Sequence, residues 1–218
     1  MIITYTITLN LKYFSTRRFL MKAKLYTAFI ISILLLFTLA SGVSAQELTG
    51  DLAILKAGYQ RNVYEYDIEM SEPLEYNGVA LQAEYNLNLG MILLGFGVEW
   101  SRLVNKDDRD TVFTFTTPSA SLKLLMPGGL YIGAGGAGKY LLDQNIPGGD
   151  DFERELDFWA QGIAGFYFPL TELVIFNAEG RFGWNVTKNQ FSENIDVLTQ
   201  YHITLYAGIG MRMRTTGI

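Results

Sequence analysis

The chain has 218 residues with 17 basic and 22 acidic side chains, and once residues 1–45 are set aside only 12 basic groups face all 22 acids. That balance speaks against nucleic acid as a partner. The absence of cysteine excludes disulfides, thiolate metal sites and thiol nucleophiles.

In chain order, the first element is an export signal. No Asp or Glu precedes Glu47. Residues 1–20 read as an upstream extension, and Met21 is the expected natural start. Lys22 and Lys24 then form a basic head, Ala28 to Ala40 an apolar run broken only by Ser32 and Thr38, and Val43-Ser44-Ala45 a small-residue cleavage pattern before Gln46. The apolar run is shorter than the ~20 residues a helical anchor needs. A cleaved signal over 21–45 is therefore expected, followed by a single domain over 46–218 with no dividing linker or repeat.

The mature chain resolves into eight extended segments read at period two. The first (51–61) carries Lys56 and Tyr59 on opposite faces. In the second, Val79, Leu81, Ala83, Tyr85, Leu87 and Leu89 share one face, against Gln82, Glu84, Asn86 and Asn88. In the third, Ile92, Leu94, Phe96, Val98 and Trp100 oppose Leu93, Gly95, Gly97, Glu99 and Ser101. The fourth (112–126) and fifth (129–141) are diluted by small residues. The sixth (Leu156, Phe158, Ala160, Ala164, Phe166, Phe168), seventh (Val174, Phe176, Ala178, Phe182, Trp184) and eighth (Tyr201, Ile203, Leu205, Ala207, Ile209, Met211, Met213) again present one apolar face. Such alternation places one face in oil.

A soluble sandwich would show the same alternation. Three features favour a membrane barrel. The segments are longer than the 5–6 residues usual in soluble sheets and match the ~9–11 that a tilted strand needs to cross a bilayer. The connections alternate between tight turns (89–91, 126–129, 168–172) and long polar stretches (62–77, 102–111, 142–155, 185–199), as short periplasmic turns and long extracellular loops do. Tyr59, Trp100, Tyr140, Phe158, Trp184 and Tyr201 fall on the apolar face near the long-loop ends, the pattern of an aromatic girdle. An open edge in hydrocarbon would leave N–H and C=O groups unpaired, so the sheet is expected to close as an all-β, eight-stranded antiparallel up-and-down transmembrane barrel. At eight strands the lumen is filled by side chains.

The stretch from Thr117-Pro118 through Leu124-Leu125, a turn and Tyr131-Ile-Gly-Ala-Gly resembles the small outer-membrane barrel family that includes PorT-like proteins, and over about 50–214 the architecture resembles the OmpX and OmpA barrels. The resemblance implies the outer membrane of a Gram-negative bacterium, contact with its lipid and lipopolysaccharide, and insertion by the barrel-assembly machinery. Tyr206, Gly208, Met211 and Met213 match the spacing of the terminal strand signal, although no aromatic residue ends the chain.

Lumen positions carry Lys56, Glu84, Glu99, Lys123, Lys139, Asp157, Glu179, Arg181 and Arg212. Buried charges must be paired, so these are expected to form a structural network, with Lys56 and Arg212 as the cations between Glu84 and Glu99. Gly133, Gly135 and Gly138 match G-x-G-x-x-G, but no helix follows, so no nucleotide or other cofactor is expected. Asn185-Val186-Thr187 matches a glycosylation acceptor that has no meaning in this setting. His202 and Thr204 echo the His–Ser pair of lipid A deacylase barrels, yet they point into the lumen, and one histidine without cysteine holds no transition metal. Acidic side chains in the first loop (Glu65, Asp67, Glu69, Glu72, Glu75), the second (Asp107, Asp108, Asp110) and the third (Asp143, Asp150, Asp151, Glu153, Glu155) offer an external partner surface and oxygen ligands for Ca²⁺ or Mg²⁺ shared with lipopolysaccharide phosphates. Three functional classes stay open, in this order: a structural or surface-interaction barrel, a narrow solute channel and a lipid-modifying enzyme. No catalytic constellation is assembled in the sequence.

Overall fold

The computed structural model describes residues 50–66, 74–147, 156–187, 190–192 and 195–213. The expected extension and signal peptide lie outside the described residues. Nine strands occur among the described residues: β1 (Asp51–Tyr66), β2 (Leu74–Asn88), β3 (Ile92–Asn105), β4 (Val112–Leu125), β5 (Leu130–Asn145), β6 (Leu156–Pro169), β7 (Val174–Asn185), β8 (Gln190–Ser192) and β9 (Ile195–Met213). Eight of them form the barrel. Each of β1 to β7 pairs antiparallel with its sequence neighbour, β7 pairs with β9, and β9 returns to β1 from Asp51↔Met213 to Tyr66↔Val197. The short β8 pairs only with the start of β9. Among the described residues the one helical piece is a 3₁₀ turn at Pro127–Gly129.

Three tight turns join strands at one end. Gly90 (φ +87°) reverses the chain between β2 and β3, where the Asn88 side chain accepts the Gly90 N–H at 2.9 Å and Leu89 N–H donates to Ile92 C=O at 2.8 Å. Gly128 and Gly129 supply the positive φ of the β4–β5 turn, closed by Met126 N–H to Leu130 C=O at 2.7 Å. Between β6 and β7 the Thr171 hydroxyl accepts from the N–H groups of Leu173 (3.2 Å) and Val174 (2.9 Å).

The opposite end corrects the sequence reading. Much of what was expected to be loop is strand: β1 runs to Tyr66, β2 starts at Leu74, β3 ends at Asn105, β5 at Asn145, and β9 starts at Ile195. Only Lys106–Thr111 joins β3 to β4. Pairing continues because Tyr64, Tyr76, Leu103, Phe113 and Leu141 point inward there and pack together, with the Tyr64 and Tyr76 rings edge-on at 5.4 Å and Tyr76 and Phe113 at 5.3 Å.

The facing follows period two except at the irregularities beside Glu65/Tyr66 and Thr114/Phe115 near the far rim. Leu81, Phe96, Val98, Ile203, Leu205 and Ile209 are exposed on the outer wall, whereas Gln82, Glu84, Glu99, Lys123 and Lys139 are buried within. At the tight-turn end the lumen has an apolar floor of Leu52, Ile54, Leu93, Ile163 and Ile175, with Tyr131 and Tyr167 stacked at 4.5 Å. The lumen is thus not polar along its whole length.

Candidate functional site

Four of the strands bring one or two inward side chains each to the middle of the barrel, where five charges meet. Lys56 (β1), Lys123 (β4) and Arg181 (β7) surround the carboxylates of Glu84 (β2) and Glu179 (β7). Lys56 Nζ lies 2.9 Å from both Glu84 Oε2 and Glu179 Oε1. Lys123 Nζ binds Glu84 and reaches Glu179 Oε2 at 3.1 Å. Arg181 donates through Nη2 to Glu84 at 2.5 Å and through Nε to Glu179 at 2.6 Å. All five side chains are at most 2% exposed. Every cation therefore touches both anions, a geometry that offsets the desolvation of charges withdrawn from water.

The network extends into the floor through Tyr131, whose hydroxyl donates to Glu179 at 2.7 Å and accepts from Asn177 Nδ2 at 2.9 Å. Glycines make room for these long side chains. Gly208 stands opposite Lys56 in the β1–β9 register, and a Cβ there would come 2.5 Å from Leu55 O and 2.9 Å from Lys56 Cγ. Gly183 stands opposite His202, and its Cβ would lie 2.2 Å from the imidazole ring.

The remaining expected lumen charges behave differently. Glu99 accepts from the Tyr206 hydroxyl, so Glu84 and Glu99 share no cation. Lys139 is buried with no hydrogen-bond partner for Nζ among the described residues; it lies 4.1 Å from the Phe115 ring centroid and 5.3 Å from that of Trp159. Asp157 is half-buried opposite Lys139 in the β5–β6 register. Arg212 corrects the expectation most clearly: it is half-buried near the tight-turn end, opposite Leu52, and its Nε and Nη2 have no partner among the described residues. Arg181, two residues along β7 from Glu179, takes the place expected of Arg212. Tyr131, Asn177 and Tyr206 were not among the expected lumen network, although Tyr131 shares the inward parity of Gly133, Gly135 and Lys139.

Above the charged layer the lumen holds polar atoms without partners among the described residues, including Gln60 Oε1, both amide atoms of Gln82, Ser101 Oγ, Thr117 Oγ1 and Thr204 Oγ1. His202 is buried there with its ring 4.8 Å from that of Trp159. Gly133, Gly135 and Gly138 all lie within strand β5, as the absence of a following helix in the sequence implied.

On the outer wall Tyr59, Phe158 and Trp184 are more than half exposed, Trp100 and Tyr140 exposed and Tyr201 half-buried. Trp100 and Tyr140 flank Thr116 across three strands, and Trp184 stands beside Tyr201. Of the expected acidic loop residues, Glu75 is instead a strand residue bound by Arg61 at 2.5 Å and Lys106 at 3.2 Å. Asp108 holds its own turn through Asp110 N–H and the Thr111 hydroxyl. Asp67, Glu69, Glu72, Asp150, Asp151, Glu153 and Glu155 lie outside the described residues, as does the side chain of Glu65.

No protein-family profile matches the chain. No curated protein matches it either. Solved structures do. Neisserial surface protein A is similar with 17% identity and a TM-score of 0.51, covering 76% of this chain and 100% of that one. The outer membrane protein AlkL, determined in lipid bilayers, has 12% identity and a TM-score of 0.50, covering 81% of this chain and 96% of that one. OprG of Pseudomonas aeruginosa has 11% identity and a TM-score of 0.46, covering 78% and 98%. The chain folds as a closed eight-stranded, up-and-down antiparallel β-barrel, the fold of small outer-membrane barrel proteins.

Proposed function

We propose that this protein is exported, is inserted in the outer membrane of a Gram-negative bacterium by the barrel-assembly machinery, and acts at the external surface as a structural or interaction barrel, without enzymatic activity. The observation that carries this reading is the stack of an ionic layer on an apolar floor, which fills the lumen with paired charges and packed side chains. Exposed apolar side chains such as Leu55, Phe96, Leu205 and Ile209 around the outer wall support a hydrocarbon surrounding. His202 and Thr204 sit in the lumen, away from any lipid substrate, which supports the non-enzymatic reading. The finer resemblance to PorT-like barrels belongs to the same proposal. The test is planar-bilayer conductance of the refolded barrel: a closed lumen gives no stable current steps. A narrow conduit for small solutes is the second reading, favoured by the polar atoms of Gln60, Gln82, Ser101, Thr117 and Thr204 above the ionic layer that have no partner among the described residues. Steady, ohmic single-channel currents would establish it.

A further inference from the structure

The nine basic side chains of the described residues divide cleanly. Lys56, Lys123, Lys139, Arg181 and Arg212 lie on the inward parity of their strands; Arg61, Arg102, Lys106 and Arg109 are exposed at the rim opposite the tight turns, all on β1, β3 and the turn after β3. Arg61 lies two residues beyond Tyr59, and Arg102 two beyond Trp100, on the same outward face. Both guanidinium groups are therefore set just outside the aromatic belt, at the level of lipid headgroups.

Charge bookkeeping in this sector leaves an excess of cations at that level. Glu75 is the one acid there among the described residues, and it is shared by Arg61 and Lys106. Arg102 has no ion pair among the described residues. Asp107, Asp108 and Asp110 lie farther out in the β3–β4 turn. The other side of the rim differs: its exposed positions there are Leu142, Leu156 and Val186 together with Asp143, an acid on β5 that stands level with Arg102 across Thr114, and no basic side chain of the described residues lies among them. In register, Arg61 faces Asn77 and Arg102 faces Val79, so the two arginines sit two strands and two residues apart. Strand spacing and rise put their backbones on the order of 12 Å from each other.

We infer that the outward face of β1–β3 at this rim binds the phosphorylated glycolipid of the outer leaflet, with Arg61 and Arg102 each gripping one phosphate of a lipopolysaccharide headgroup, Lys106 assisting and Glu75 moderating the affinity. The planar guanidinium fork suits phosphate oxygens, and basic groups at a membrane surface draw anionic headgroups. The inference rests on the outer-membrane reading above.

The test uses the full barrel, its folding checked by heat-modifiable gel migration, titrated in neutral detergent with bis-phosphorylated lipopolysaccharide, its dephosphorylated form and inorganic phosphate. Arg61→Gln combined with Arg102→Gln is expected to weaken lipopolysaccharide binding about 10- to 30-fold. Glu75→Gln is expected to strengthen it, and the dephosphorylated form to bind wild type no better than the phosphorylated form binds the double variant. Equal binding by wild type and double variant, equal binding of the two lipopolysaccharides, or weaker binding by Glu75→Gln would overturn the site. Competition by inorganic phosphate at the same concentration would overturn the lipid assignment. Spontaneous insertion into phosphatidylcholine vesicles is measured alongside: a barrel that inserts but ignores lipopolysaccharide defeats only this inference, whereas one that does not insert defeats the membrane reading too.

Discussion

Replacing Glu179 by glutamine tests the ionic layer at its most connected point. The carboxylate accepts from Lys56 at 2.9 Å, Lys123 at 3.1 Å, Arg181 at 2.6 Å and the Tyr131 hydroxyl at 2.7 Å, with no exposure of its side chain. Glutamine keeps the shape but removes the charge, leaving three buried cations around Glu84 alone. Breaking a buried pair in this way costs ~3–5 kcal/mol. With a urea dependence of about 2 kcal/mol per molar, the unfolding midpoint should fall by about 2 M. Adding Lys123→Met removes one of the excess cations and returns the layer to one net positive charge, so the double variant should recover at least ~1 kcal/mol relative to additivity. Tryptophan fluorescence in lipid vesicles reports the transition through Trp100, Trp159 and Trp184. A Glu179→Gln midpoint within about 0.3 M of wild type would refute the layer as a stabilising plug.

Arg212→Met should destabilise the barrel by no more than ~0.5 kcal/mol in the same assay, because the guanidinium Nε and Nη2 have no partner among the described residues to lose. Gly183→Val should destabilise the barrel by ~1–3 kcal/mol, since the first added carbon already overlaps the His202 ring; the His202→Ala background should relieve much of that loss in the same assay. At the outer rim, burial raises the Glu75 carboxyl, but hydrogen bonds and charge from Arg61 and Lys106 outweigh it and hold the group below the usual range. Its folded-state value is depressed, so its contribution is present above the ordinary carboxylate value of ~4.3 and is lost as pH falls through the folded value; acid titration should show a smaller loss over that window in Glu75→Gln, by ~1 kcal/mol or less for so exposed a pair.

The outward faces of β2, β3, β6, β7 and β9 were legible because hydrocarbon demands an uninterrupted apolar parity, as in Val79, Leu81, Ala83 and Tyr85. The lumen lysines were legible for the converse reason: Lys56, Lys123 and Lys139 sit in otherwise apolar or small-residue strands and have only the inside to point to. Which charges meet was not legible. Contacts across the lumen depend on strand tilt and stagger, and period two carries no depth coordinate. Arg181 rather than Arg212 therefore completes the layer. The strand extensions were hidden because the polarity of the two faces inverts beyond the girdle while the facing does not: there Arg61, Asn77, Arg102 and Lys106 face outward while Tyr64, Tyr76, Leu103 and Phe113 face inward. Polar-out and aromatic-in reads as a polar loop when a lipid-facing pattern is being sought. The apolar floor escaped notice for the same reason, since Leu52, Ile54 and Leu93 share the parity of the lumen charges.

The chain has no cysteine, so single introduced cysteines can report whether the barrel has an oily outside and a closed inside. Phe96→Cys and Leu205→Cys lie on the exposed outer wall, whereas Asn86→Cys replaces a lumen residue with no exposure, next on β2 to the ionic layer. For the barrel refolded in lipid vesicles, the two wall thiols should react with a lipid-soluble maleimide and resist a water-soluble one, and the Asn86→Cys thiol should resist both until urea unfolds the protein. Rapid labelling of Asn86→Cys by the water-soluble reagent, or of the wall thiols by that reagent alone, would contradict it.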